Sequence, residues 1–158
     1  PRSSWIQTAS GRKLYPLDPH PDDITINDIA HALAHVNRFG GHTCVPYSVG
    51  QHSVLLSLRC DPDHALFGLL HDASEYALGD VPRPIKHAAA FAAYRDAEAR
   101  LQAMIERKFG VVVDPDMLAS VALLDRKMLR TEQRDLMPPA AHGEDRSDVE
   151  REGVWSEG

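Results

Sequence analysis

Cysteine is scarce in this chain. Two residues, Cys44 and Cys60, occur in 158, with neither a CxxC pair nor the spacing of a disulfide framework. That excludes a disulfide-stapled secreted scaffold and predicts free thiols in a reducing compartment. Long apolar runs are also missing. None approaches the ~18 residues that span a membrane, and no signal-peptide pattern opens the chain. A cytoplasmic protein without a membrane partner is expected. Basic charge is short as well: 17 Lys and Arg stand against 23 Asp and Glu, for a net charge of −6. A nucleic-acid backbone favours a basic surface, so polymeric nucleic acid is not the expected partner. A small anionic ligand in a local basic pocket remains compatible. No internal repeat is present, which excludes a solenoid.

What is present suits one globular domain. The length allows a real core and leaves little room for a second domain. Hydrophobic content is 43% and charged content 25%, both ordinary for a soluble protein. Residues 1–136 read as a single domain. Residues 137–158, rich in Pro, Gly and charge, read as a polar tail or loosely packed arm that Trp155 could anchor.

The opening WIQTASGRKLYPL predicts a small β-hairpin about Ser10-Gly11. DPHPDD at 18–23 is a Pro/Asp loop. Ile26, Ile29, Ala30, Leu33 and Val36 recur at helical steps, predicting a helix over 27–39 that Gly40-Gly41 ends. Thr25-x-x-Asp28 resembles a capping box with Asp for Glu. A second helix, opened by the box Ser48-x-x-Gln51, runs to about residue 59. A third starts at Asp61-Pro62 and stops near Gly79. A loop with two prolines, DVPRPIK, follows. Helices over 88–109 and, from Asp114-Pro115, over 115–135 complete an all-helical domain with a small N-terminal β element.

Four ionisable groups crowd the stretch LLHDASEYALGD, where burying charge is expensive. On a continuous helix, His71 and Glu75 share a face and Asp72 points about 100° away. A lone His-Asp dipeptide is commonly a surface pair. Two other residues change the weighing. His52 lies in the apolar stretch VGQHSVLLSL, and Asp125 in VALLDRKML. An acid so placed is exposed on a polar face, paired, or bound to a metal. Taken together, two His and two Asp on three helices make an N2O2 set suited to Zn, Co, Ni, Mn or Fe(II). A divalent ion would compensate the buried charges and activate water. Glu75 can orient that water or accept its proton, and Asp80 is a second acid. Arg38, beside the Gly-Gly stop, and Lys86, after the proline-stiffened loop, are candidate phosphate clamps. His42 and Arg83 are further candidates for substrate contact. His31 and His35, four apart on the first helix, read as surface or packing residues. Glu132, seven after Asp125 and on its face, reads as a structural salt-bridge partner for Arg38 or Arg130.

The order His52 … His71-Asp72 … Asp125 resembles the H…HD…D pattern of HD-domain metal-dependent phosphohydrolases. HDASEYALGDVPRPIK is similar to the HDxxExxxxDxPxPxK segment of bacterial HD-domain 5'-deoxyribonucleotidases and of related phage dATP triphosphohydrolases. NRFGGH at 37–42 resembles their arginine motif, LDRKMLRTEQRDL at 124–136 their last aspartate helix, and WIQTASGRK a prophage branch of the group. The likeness covers roughly residues 4–136. It implies an HD-domain bundle of about five to seven helices. It also implies one divalent metal on His52, His71, Asp72 and Asp125, catalytic carboxylates at Glu75 and Asp80, and phosphate held by Arg38 and Lys86. Pro84 and its neighbours would border the nucleoside of a deoxynucleotide. Hydrolysis of a deoxynucleoside 5'-monophosphate is the expected activity. A dATP-type triphosphohydrolase is the alternative, and a non-catalytic nucleotide-binding HD module is an alternative of another class. The choice between mono- and triphosphate rests on cations beyond the first phosphate, for which Arg83, Arg12 and Lys13 are candidates. The resemblance further implies a homo-oligomer, dimer or hexamer. The Ala-rich helix over 88–105 offers an apolar stripe for an interface or for the core.

Overall fold

A computed structural model describes residues 4–139. The tail expected at 137–158, Trp155 included, lies from residue 140 onward outside the described residues.

The predicted hairpin is present. Strands β1 (Ile6–Gln7) and β2 (Lys13–Leu14) pair antiparallel, with Ile6 opposite Leu14. Its turn is tied to the helical body. Ser10 donates its N–H and its hydroxyl to the Asp28 carboxylate at 2.8 and 2.7 Å. This changes the capping box read at Thr25. Thr25 accepts from the Asp28 N–H, as expected. The Asp28 carboxylate, one methylene shorter than Glu, goes to Ser10 and to the Thr25 hydroxyl instead.

Among the described residues there are seven α-helices: α1 (Ile26–His35), α2 (Val49–Ser57), α3 (Ala65–Leu70), α4 (Glu75–Leu78), α5 (Arg83–Lys86), α6 (Ala92–Lys108) and α7 (Pro115–Leu136). The all-helical class with a small N-terminal hairpin is as the sequence predicts. Several boundaries are not. The first helix ends at His35 rather than 39, and Arg38–Gly41 form a separate 3₁₀ turn with Phe39 and Gly40 at φ 55° and 59°. The apolar steps run on past the helix, but Val36 and Asn37 turn extended and pair with the segment at 47–49, where Arg38 N–H bonds the Tyr47 carbonyl and Val49 N–H the Val36 carbonyl. The helix expected from 62 to 79 is broken into a 3₁₀ turn over Pro62–His64, α3, a tight turn over 71–74, and α4. The DVPRPIK loop holds one helical turn, α5, and α6 is preceded by a 3₁₀ turn over Ala89–Phe91.

The capping residues explain the long helices. Ser48 and Gln51 form a complete box at the start of α2. Asp114 accepts from the Met117 N–H at 2.8 Å at the start of α7, with Pro115 in the first turn. Gly50 matters to the site because it brings α2 close to α1. A Cβ there would meet the Ala34 nitrogen and the Leu33 carbonyl carbon at 3.2 Å, and α2 carries His52.

The main core gathers Leu14, Ile24, Ile29 and Leu33 with Leu70, Ala73, Leu101 and Ile105. The apolar stripe of α6, Ala97, Leu101 and Ile105, is therefore turned inward. Each such Leu or Ile contributes roughly 1.5–3 kcal/mol of burial. A second cluster joins Leu56 of α2, Phe67 of α3, and Val121 and Met128 of α7. These two clusters fix α2, α3 and α7 against one another, and those helices or the turns leaving them carry the predicted ligands. No helix among the described residues is long and apolar enough to cross a membrane.

Candidate metal centre and cleft

The break at 71–74 is what forms the site. After Leu70 the chain tightens to hydrogen bonds between residues three apart. Ala73 N–H bonds Leu70 C=O, Glu75 bonds Asp72, and Tyr76 bonds Ala73. In such a turn residues i and i+3 eclipse, so Asp72 and Glu75 share a direction. The sequence reading had paired His71 with Glu75 on a regular helix face, and the tighter turn replaces that pairing.

Three of the predicted ligands, His52, His71 and Asp72, group together, and Asp125 approaches His52 from α7. His52 Nε2 lies 3.4 Å from His71 Nε2 and 3.2 Å from Asp125 Oδ1. His71 Nε2 lies 3.1 Å from Asp72 Oδ2. The two diagonal separations, His52 to Asp72 and His71 to Asp125, are both 4.0 Å. His52, His71 and Asp72 form a group that can hold a metal ion, their ligand atoms all within 4.8 Å of one another.

Hydrogen bonding on the far side of each imidazole decides what these nitrogens offer. His71 Nδ1 faces the Gly68 carbonyl oxygen at 2.8 Å. A carbonyl only accepts, so Nδ1 carries the proton. His52 Nδ1 faces Glu132 Oε1 at 2.6 Å, an acceptor again. Both Nε2 atoms are then lone-pair acceptors aimed at each other and at two carboxylate oxygens. With both rings neutral, four acceptors converge there, an arrangement that positive charge relieves, whether a proton on His52 or a bound cation. The spacing fits one: two nitrogens about 2.05 Å from a tetrahedral ion lie about 3.3 Å apart.

Charge around the site is correspondingly displaced. Burial disfavours charge on Asp72, yet His71 and Arg38 outweigh it and hold its carboxyl far below the usual range. Burial opposes a charge on His52, but hydrogen bonds to Asp125 and Glu132 raise its pKa. Glu75 goes the other way. Burial, then the charges of Asp72 and Asp80, push it up to about 9. It is 4% exposed, and its Oε2 has no hydrogen-bond partner among the described residues. Burial also raises Asp80.

A cleft of about 630 Å³ opens beside this centre. Arg38, His42, Asp72, Glu75 and Asp80 line it, as do Arg83, Pro84, Lys86 and Asp125. Every predicted catalytic and substrate residue therefore borders one cavity, with His52 buried behind it. The two predicted clamps are not free cations, however. Arg38 donates through Nε to Glu132 at 3.1 Å and reaches Asp72 with Nη1 at 3.6 Å. Lys86 donates to Glu98 at 2.6 Å and lies 3.7 Å from Glu75. Of the extra cations, Arg83 borders the cleft. Arg12 donates to the Asp22 carbonyl, and Lys13 lies over the Trp5 ring.

Sequence reasoning missed part of the wall. Leu129 and Gln133 of α7 line the cleft, with Met137 just beyond it. Leu129 falls four after Asp125, so the helix face was the available signal. Glu132, read as a structural partner for Arg38 or Arg130, pairs with Arg38 as the first option had it. Tyr47, which also donates to Glu132, at 2.8 Å, and Glu98 carry no local signal.

No protein-family model matches the chain. Over 133 residues it is 41% identical to the uncharacterised protein YfdR of Escherichia coli K12, covering 84% of this chain and 72% of that protein. It is 44% identical over 119 residues to an uncharacterised protein of Rhodobacter capsulatus, covering 70% of this chain and 60% of that protein. The chain thus spans less than two thirds of the second relative, and neither relative's name states an activity.

Proposed function

We propose that this chain, which belongs to the family of the uncharacterised Escherichia coli protein YfdR, is a divalent-metal-dependent phosphohydrolase of deoxynucleoside 5'-monophosphates. The observation that carries the reading is the grouping of His52, His71 and Asp72, with Asp125 3.2 Å from His52, at the head of a cleft bordered by acids and cations. The resemblance of HDASEYALGDVPRPIK to HD-domain nucleotidases supports the substrate class.

In this reading those four residues hold one divalent ion. Bound there, it would polarise a phosphoryl oxygen and make water more acidic. The remaining chemistry falls to the chain. Arg38, rigidly held by Glu132, presents a guanidinium to the phosphate. Glu75 orients the attacking water and takes its proton as the new P–O bond forms. Burial and the Asp72 charge keep Glu75 protonated in the ion-free site. Compensation of the Asp72 charge and Lys86, 3.7 Å away, favour its ionisation against the burial that remains. The bond between phosphorus and the 5'-oxygen breaks, and Asp80, its pKa raised by burial, returns a proton to the leaving oxygen. Val81, Pro82 and Pro84 give the cleft an apolar wall for a nucleoside.

Monophosphate is preferred over triphosphate because Arg12 and Lys13 are engaged away from the cleft. Arg83, on the cleft wall, is the observation that favours the triphosphate alternative. The test is product identification: dAMP and dATP, each with Mn²⁺, Co²⁺, Zn²⁺ or Mg²⁺, with products separated by anion exchange. Orthophosphate from dAMP alone is expected. Intact triphosphate from dATP would establish the alternative. Metal uptake without release of either product would make the chain a nucleotide-binding module.

A further inference from the structure

We infer that Glu132 is the positioning residue of this site, holding the cation-binding face and the phosphate-binding face in register although it borders neither ligand. The inference rests on the metal-dependent reading above and adds a residue to it.

Glu132 lies on α7 and is buried. An ionised carboxylate in that setting needs every lone pair directed at a donor. Four donor atoms from three groups surround it, three of them in hydrogen bonds and one in an ion pair. Oε1 receives His52 Nδ1 at 2.6 Å and the Tyr47 hydroxyl at 2.8 Å. Oε2 receives Arg38 Nε at 3.1 Å and is ion-paired with Nη2 at the same distance. The donors come from α2, from the segment leading into α2, and from the turn over 38–41. One side chain of α7 therefore orders three segments that are distant in sequence.

The chemistry of the four donors fixes a tautomer. Guanidinium can only donate, and the tyrosine hydroxyl donates to an oxygen already bound by His52. With no proton on the carboxylate, Nδ1 of His52 must carry one, so it is Nε2 that the neutral ring leaves bare toward His71 and Asp125. A carboxylate behind a ligating imidazole fixes ring orientation and raises its basicity. The second oxygen does the equivalent work for Arg38. It holds two guanidinium nitrogens and leaves Nη1 toward Asp72 and the cleft.

Glutamine cannot replace this group. It is nearly isosteric, but its amide has one oxygen and one NH₂. If the oxygen faces His52 and Tyr47, the NH₂ confronts Arg38. If it is reversed, the NH₂ faces His52 Nδ1, which must then accept, so the proton moves to Nε2 and blocks the ligand. Either orientation damages one of the two faces. A carboxylate that merely filled the core would change stability and neither affinity.

The experiment compares the full chain as wild type, Glu132→Gln and Tyr47→Phe. Co²⁺ uptake is followed by its visible absorption, and inorganic phosphate binding to the Co²⁺-loaded protein by calorimetry. Glu132→Gln is expected to weaken Co²⁺ or phosphate by about 10- to 100-fold while circular dichroism stays native. Tyr47→Phe, which removes one neutral hydrogen bond, is expected to change either by only about threefold. Folded Glu132→Gln with wild-type affinities for both ligands overturns the proposal. Nitrogen-15 NMR of the wild-type imidazoles decides the matter if that variant does not fold. A proton on His52 Nδ1 supports the proposal, whatever Nε2 carries, and a bare Nδ1 overturns it. Wild-type protein that takes up no Co²⁺ would remove the metal reading and this proposal with it. Wild-type uptake matched by Glu132→Gln would remove the proposal alone.

Discussion

His52 and His71 turn their Nε2 atoms toward each other at 3.4 Å, and each Nδ1 faces an acceptor on its far side. Two acceptors held that close, with Asp72 and Asp125 beside them, are stable only around positive charge. This relationship governs the behaviour expected of the site.

Asp72→Ala removes one ligand and the carboxylate that Arg38 reaches. Loss of Co²⁺ or Mn²⁺ uptake and of activity is expected, with native circular dichroism. In the wild type, chelation is expected to lower Tm and excess metal to restore it, by on the order of 5–10 °C at a hundredfold excess over Kd. Full turnover by Asp72→Ala with added metal would remove the assignment.

Glu75→Ala keeps all four ligands and deletes the group placed to take a proton from water. Metal content measured by plasma emission should be unchanged, and kcat should drop by about 10²–10⁴-fold. A loss smaller than about threefold would move the base elsewhere.

The metal-free protein should lose stability as pH rises. Glu75 is pushed from the ordinary 4.5 to about 9 in the fold, so its neutral form stabilises the native state below pH 4.5 and that contribution fades through pH 9. His52, also raised, acts in the same direction above neutrality. The Tm of chelated wild type should therefore fall between pH 5 and pH 9. Glu75→Gln, which does not titrate, should show a shallower slope. An equally steep slope in that variant would assign the effect to His52 and its partners.

Arg38→Lys keeps the charge and loses the planar fork that bridges Glu132 and Asp72. Steady-state kinetics should give a KM for dAMP raised about tenfold with kcat less affected. An unchanged KM would mean that the guanidinium does not meet the phosphate.

Much of the scaffold was legible locally. The Ser48–Gln51 box and the Asp114 cap act within one turn, so three or four consecutive residues suffice to read them. The break at 71–74 was not legible. The apolar steps of LLHDASEYAL suit a regular helix, and only the packing of Leu70, Ala73 and Tyr76 into the core holds the tighter turn that aligns Asp72 with Glu75. The partners of the cations were partly hidden for the same reason. Glu98 lies twelve residues from Lys86, and Glu132 ninety-four from Arg38.

The sequence by itself determined which chemistry is available: two imidazoles and two carboxylates on apolar segments, further acids and cations nearby, and helices with their caps. Those are properties of residue types and short spacings. Tertiary structure alone decided which atoms face which. It placed an acceptor behind each imidazole, Gly68 or Glu132, paired Lys86 with Glu98, and brought α7 against the turn at 38–41 to close the cleft. Hydrogen bonds and charges act over a few ångströms, and only the folded core brings distant residues within that range.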